Sequence, residues 1–233
     1  MRQIAFDTET TGIGAEIGHR VIEIGCIELI DRKLTGQHFH TYLNPEREVD
    51  AGAFKVHGIS SGFLQDKPRF ADIVEDFLHF IEGAQLIIHN APFDIGFINA
   101  ELKRLQWSKK IDEYCSVLDT LVLAREHHPG QRNNLDALCK RYHVENSNRK
   151  LHGALLDAEI LAFVYLNMTG GQANLFGEDE LSETKVVLQK GGSYPLLESQ
   201  SPVYFADPTE LAAHEEFVRY LIDKSGKDYW SEK

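Results

Sequence analysis

Residues 5–12, AFDTETTG, close the first apolar run of the chain with two like charges two positions apart, Asp7 and Glu9. In an extended strand residues i and i+2 point to the same side, so the two carboxylates converge if the strand runs on through them. Two unneutralised carboxylates that close repel each other; one has to hold a proton, or both need a cation. Solvation at a strand end is the ordinary fate of isolated acids. What decides between these readings is whether other acids arrive at the same place.

Two do. Asp94 lies in His89-Asn90-Ala91-Pro92-Phe93-Asp94, just after the buried run Leu86-Ile87-Ile88 and in the first turn of the helix expected to follow it. Asp157 lies in His152-Gly153-Ala154-Leu155-Leu156-Asp157, in the first turn of the last long helix of the domain. Four carboxylates from three segments make a hard oxygen set, suited to Mg²⁺ or Mn²⁺ rather than zinc. His152 and Asp157 are five residues apart. At roughly 100° per residue they would lie about 140° apart on one helix, so His152 is expected in the loop before it, with Gly153 as a hinge that swings the ring over the site. A neutral imidazole there can take a proton from water near neutral pH. A surface loop histidine, one of eleven in the chain, is the plainer reading of that spacing.

Outward from the opening stretch, residues 2–6, 21–30 and 37–43 read as three antiparallel strands, with 31–36 as the turn between the second and third. Phe70, Ile73, Val74, Phe77, Leu78 and Ile81 recur at helical spacing. A buried strand at Leu86–Ile88 precedes a helix through Phe93, Phe97, Ile98, Leu102 and Leu105. A strand near 114–117 leads to a helix stopped by Pro129-Gly130; further helices run from Asn134 to Tyr142 and from about Ala154 to Met168. Strands first, then helix alternating with strand, predict an α/β fold with a mixed sheet flanked by helices.

The chain has 233 residues, 42% of them apolar, enough for one substantial core and an appendage. No stretch approaches the roughly 18 apolar residues of a membrane span, and Met1-Arg2-Gln3-Ile4 enters a strand directly, so the expected location is cytoplasmic, with no membrane partner. Cys26, Cys115 and Cys139 are odd in number and lack metal-ligand spacing, which predicts reduced core residues. A net charge of −12 argues against a broad electrostatic grip on nucleic acid, though not against a small, metal-mediated one. Past Gly171 the texture changes: twelve acidic residues stand against six basic ones from 171 to 233. The expected division is a domain at 1–170, a tether at 171–200 and a segment at 201–233, where Asp207-Pro208-Thr209-Glu210 is a strong helix start. Gly12-Ile13-Gly14-Ala15-Glu16-Ile17 approximates a dinucleotide fingerprint, but Ile17 stands where its last small residue belongs.

Asp7-x-Glu9 after a strand, Asp94 in HNAPFD, and His152 followed by Asp157 resemble, in that order, the three exonuclease motifs of the DEDDh family, which has a ribonuclease H-like fold. The likeness spans nearly all of residues 1–170. Within the family, DTETTG, VHGI, HNAPFD, Asn133–Cys139 and LHGALLDA are similar to the proofreading subunits of bacterial DNA polymerase III. The resemblance implies a five-stranded sheet and a 3′–5′ DNA exonuclease using two divalent cations. Asp7, Glu9 and Asp157 would hold the first ion, Asp7 and Asp94 the second, with His152 as general base. It further implies that His57, Asn90 and Phe93 join Asp7, Glu9 and Asp157 in contacting the terminal nucleotide of a single-stranded or frayed DNA 3′ end. The implied protein partners are the DNA polymerase III alpha subunit, bound by 201–233, a small theta subunit, and the beta sliding clamp, bound by Gln172, Leu175 and Phe176. Gly52 departs from the family, which often carries an acid there. An RNA exonuclease of the same fold is the alternative, since the five motif residues do not distinguish DNA from RNA; an idle scaffold between polymerase and clamp is a third reading.

Overall fold

A computed structural model describes residues 1–146, 151–170 and 208–225. The chain divides into two units, Met1–Glu178 and Asp179–Lys233.

In the first unit β1 (Arg2–Thr10), β2 (Val21–Ile30), β3 (Lys33–Tyr42), β4 (Gln85–Ile88) and β5 (Ser116–Asp119) form one five-stranded sheet in the order β3-β2-β1-β4-β5. β1 is antiparallel to β2 and parallel to β4, so the sheet is mixed, as expected. Around it pack α1 (Ala51–His57), α2 (Ser61–Leu64), α3 (Phe70–Ile81), α4 (Ala91–Arg104), α5 (Thr120–His127), α6 (Leu135–Tyr142) and α7 (Ala154–Thr169). The turn after β2 is Asp31-Arg32, shorter than the expected 31–36. Both residues have positive φ, 48° and 65°, the primed geometry whose twist suits a two-residue hairpin. Residues 33–36 therefore join β3, and Gly36, at φ 83°, sits where the register slips between Ile27 and Leu29. β5 begins at Ser116 because Ile111–Glu113 is already a 3-10 turn. The sequence pattern missed α1 and α2, which are short and bury only His57 and Leu64.

Side chains alternate across β1, and each set meets a different helix layer. Ile4 and Phe6 join Phe77, Leu78 and Ile81 of α3 and Phe97 and Ile98 of α4 in the larger core. Ala5 packs with Leu29 and with Ala162 of α7 on the other face. Fully burying one such side chain contributes about 1.5–3 kcal/mol. β4 is covered on both faces, which is why it reads as the continuous apolar run Leu86-Ile87-Ile88. Continued to its end, the same alternation sends Thr8 toward α4 and Asp7 and Glu9 toward α7. The three cysteines are buried and unbridged, and burial pushes the Cys115 thiol up to about 11, so these are inert core residues.

In the second unit α8 (Pro208–Ser225) begins at the expected proline. Leu211, Phe217 and Tyr220 are exposed on it, and Glu215 pairs with Arg219 one turn on, at 3.5 Å. Asp207 and the peptide Gln172, Leu175 and Phe176 lie outside the described residues. Among the described residues no helix is long and apolar enough to cross a membrane.

Candidate active site

A cavity of about 750 Å³ opens beside the carboxyl ends of the parallel neighbours β1 and β4, and Asp7, Glu9, Asn90, Phe93, Asp94, His152 and Asp157 all line it. Ligand atoms of Glu9, His152 and Asp157 lie within 4.8 Å of one another, and His152 Nδ1 is 3.3 Å from Asp157 Oδ2. Asp7 and Asp94 line the cavity outside that trio. His57 is placed elsewhere, in an adjoining cavity of about 580 Å³ that shares Thr8, Glu9 and Phe93 with the first.

The strand alternation explains how three segments meet. On one face Thr8 donates from its hydroxyl to Asp94 Oδ1 at 2.7 Å, fixing the first turn of α4 against β1. The turn into α4 depends on Asn90, at φ 68°, a left-handed conformation that asparagine tolerates. Asp119 holds that turn: its carboxylate accepts from the amides of Asn90 at 3.2 Å and Ala91 at 3.1 Å, and from Leu121 at 2.8 Å at the start of α5. On the other face Glu9 pairs across strands with Glu23, and Asp7 with Gly25. Glu23 is buried; its Oε2 accepts the Ala154 amide at 3.1 Å and its Oε1 meets His40 Nε2 at 2.8 Å. An acid thus sits at the amino end of α7, where the helix dipole favours it, and draws in the turn that carries Asp157.

His152 does lie in the loop before α7, its amide bonded to the Val56 carbonyl of α1 at 3.1 Å. Gly153, the expected hinge, has φ −158°, extended backbone open to any residue. His57 Nδ1 accepts from the Ile59 amide at 3.0 Å, while its buried Nε2 lacks a partner of acceptable hydrogen-bond geometry. Burial lowers its pKa, and the Thr10 backbone and the Glu23 charge only partly offset this. Phe93 is both core and wall, packing on Phe97 with ring centroids 4.9 Å apart while lining both cavities. Gly52 also lines the smaller cavity, and a Cβ there would meet nothing within 4 Å, leaving open space where the family often carries an acid. His89, Arg125, Gln131, Asn133 and Asp136 line the larger cavity as well, and sequence reasoning gave none of them a role there. His89 opens the HNAPFD motif and Asn133 and Asp136 lie in the stretch 133–139, signals that are available in the sequence; Arg125 and Gln131 carry none.

Asp94 is strongly perturbed by its surroundings. Burial away from water raises its pKa from 3.8 to about 7, against the lowering by the Thr8 hydrogen bond. Its charged form is therefore costly unless a cation lies alongside, and the surrounding carboxylate oxygens fit a hard divalent ion. Linkage gives the sign. Between pH 4 and 7 the folded chain without metal holds a proton on Asp94 that the unfolded chain has lost, so this contribution to stability is full below about 4 and is lost as pH rises through about 7. The metal-free thermal midpoint is expected to fall across that window, less so in Asp94→Asn, with Mg²⁺ raising it most near pH 8. Parallel melting curves for the two proteins check this.

Buried and half-buried acids at the sheet's carboxyl edge, in reach of an imidazole, form a site fitted to a divalent cation, and with the family match that follows the class is a metal-dependent nuclease. Residues 4–165 match the exonuclease family RNase_T. Over 97% of its length the chain is 52% identical to the DNA polymerase III subunit epsilon of Haemophilus influenzae, covering 93% of it. It is 48% identical to that of Escherichia coli, over 98% of this chain and 97% of the other. A solved structure, exonuclease X in complex with 5′ overhanging duplex DNA, shares the fold at a TM-score of 0.54 and 24% identity, over 73% of this chain and 92% of that one. The chain belongs to the exonuclease family and, within it, to the DNA polymerase III epsilon subunits. A dinucleotide site is excluded: Gly12–Gly18 encloses only the three-residue 3-10 turn Ala15–Ile17 and leads into the antiparallel β2, where the fingerprint requires a helix.

Proposed function

We infer that the chain is a 3′–5′ DNA exonuclease that proofreads replication within a DNA polymerase III core, releasing mispaired 3′-terminal nucleotides as 5′-monophosphates. What carries this reading is the convergence of Asp7, Glu9, Asp94, His152 and Asp157 on one cavity, in a chain about half identical along its length to epsilon subunits.

Asp7, Glu9 and Asp157 would hold one Mg²⁺ or Mn²⁺ ion, and Asp7 with Asp94 a second. Such a pair, when bound, makes water a better nucleophile and neutralises the phosphate and the departing oxygen. His152 Nδ1 faces the Asp157 carboxylate, so a neutral ring carries its proton there and Nε2 is the basic nitrogen. The water oxygen attacks phosphorus, its proton passes to Nε2, and the P–O3′ bond breaks, the 3′ oxygen taking a proton from solvent. Phe93, at the wall common to both cavities, offers a face for the terminal base; Asn90 and the neutral His57 offer polar contacts to the same nucleotide. A mispaired end unpairs at lower cost and reaches the site more often.

Because only a frayed end needs to enter, an acidic chain can do this if it is held at the fork. Residues 201–233 would bind the polymerase alpha subunit, and Gln172, Leu175 and Phe176 the beta clamp, from a tether at 171–200 beyond a catalytic domain at 1–170. Two weak links in tandem raise effective concentration. A theta subunit would be a further partner, and the setting is the bacterial cytoplasm, at the nucleoid. The test uses 5′-labelled strands, DNA or RNA, with matched and mismatched 3′ ends, in Mg²⁺ or Mn²⁺. The expected result is stepwise shortening from the 3′ end, faster on mismatched ends and on DNA. Equal or greater activity on RNA favours the RNA exonuclease alternative, and no shortening at all removes the reading.

A further inference from the structure

Part of the wall of the acidic cavity has no use in the chemistry above. It is built by α5 and the loop that follows, through Leu121, Arg125, Gln131 and Asn133. Leu121 and Arg125 are one helical turn apart and share the face of α5 turned to the cavity, while Thr120 and Ala124 are buried. Five carboxylates line the cavity, from Asp7, Glu9, Asp94, Asp136 and Asp157, and Arg125 is the one Lys or Arg among the described residues that does so. Its guanidinium forms no hydrogen bond or ion pair with the described residues despite those acids. An exposed, hydrated guanidinium at the rim of an acidic cavity is available as an anion receptor, because its planar fork matches two phosphate oxygens.

Gln131 is set up to join it. Its Oε1 accepts from Arg141 Nη2 at 2.9 Å, which fixes the amide and leaves its NH₂ end to donate. Arg141 also donates to Asn133 Oδ1 and to the Arg132 carbonyl, each at 2.9 Å. Asn133 Nδ2 in turn donates to the carbonyls of His128 at 3.1 Å and Gln131 at 3.2 Å. One arginine of α6 therefore clamps the whole loop, at the entropic cost of ordering a long side chain. That clamp is intelligible if the loop has to present a donor at a fixed place.

We propose that Arg125 and the Gln131 amide form a second phosphate subsite, which grips a phosphodiester of the bound strand on the 5′ side of the scissile bond, with Arg141 as a positioning residue. The proposal rests on the exonuclease reading and adds to it where the rest of the strand is held. The ligand is a backbone phosphate, so the grip is independent of base sequence. It supplies, away from the cations at the scissile phosphate, a local attraction for the rest of a strand entering an acidic cavity of a chain with net charge −12.

The test compares two substrates on the full chain: a single-stranded DNA oligonucleotide, and the 4-nitrophenyl ester of thymidine 5′-monophosphate, which has a scissile phosphate and no neighbouring one. Arg125→Gln is expected to raise KM for the oligonucleotide about tenfold and leave its kcat within about twofold. The ratio of oligonucleotide to ester kcat/KM should fall by the same tenfold. Arg125→Lys recovers part of the loss, and the salt dependence of oligonucleotide KM becomes shallower, by roughly 0.7 in log–log slope. Arg141→Ala acts in the same direction, and its effect shrinks in a Gln131→Ala background, as it must if it works through that side chain. Equal losses on both substrates would place Arg125 at the scissile phosphate and overturn the subsite; no loss on either would also overturn it. If the wild-type chain hydrolyses neither, the exonuclease reading falls and takes the subsite with it, which separates that failure from the subsite's own.

Discussion

Asp7→Ala is expected to lower metal-dependent release of 3′ nucleotides by about 10³-fold or more while leaving thermal unfolding close to wild type. Asp7 is half-buried on β1, opposite Gly25 and among the carboxylates of the cavity. Its backbone stays in the ladder after truncation, and the apolar clusters of the described residues do not include it. Removing one of several like charges relieves repulsion, so any change in stability is small or favourable. Activity responds differently, because in the proposed arrangement Asp7 is the carboxylate that serves both cations. Melting curves together with oligonucleotide hydrolysis in Mg²⁺ and Mn²⁺ separate these effects. Activity near wild type would remove Asp7 from the chemistry; a large fall in melting temperature would make it a structural residue.

Asp7 was legible because its signal is local: an apolar run, a period of two, and acids in the first turns of two later helices. The same holds for α3 and α4, whose apolar spacing is regular, and for the helix at Pro208, where Asp, Pro and Glu mark a start. Signals that need the third dimension were silent. Asp31-Arg32 carries no glycine, so the sequence points to a six-residue turn and not to the tight hairpin. α1 and α2 bury one residue each and have no periodic face to read. Glu23 looks like an acid lost in a strand until Ala154, far along the chain, is seen donating to it. Arg125 looks like a solvated helix cation until the cavity is drawn around it. Gly25, inside VIEIGCIELI, announces either a bulge or a close approach; the sequence does not say which.

It is a close approach, and this sets the second large effect. A Cβ at Gly25 would stand 2.3 Å from the carbonyl carbon and oxygen of Ala154 and 2.4 Å from the Leu155 nitrogen. These are backbone atoms of the first turn of α7, so nothing flexible can give way and the helix or the sheet has to move. Two residues before Gly25, Glu23 draws the same turn inward through the Ala154 amide. Gly25→Ala therefore opposes an attraction with a clash beneath Asp7, and Asp157 rides on the element that shifts. Overpacking of this kind costs about 1–3 kcal/mol, which at roughly 2–4 °C per kcal/mol for a domain of this size lowers the melting temperature by several degrees. A misplacement of about 1 Å at a reacting centre costs on the order of 10²-fold in rate, and the expected loss of nucleotide release is of that size. Gly52→Ala is the control, since its methyl enters open space and should change the melting temperature little. Asp7→Ala loses activity and keeps stability, whereas Gly25→Ala loses both together. A Gly25→Ala protein that melts and cleaves like wild type would mean that α7 does not need to lie this close to the sheet for the acids to work.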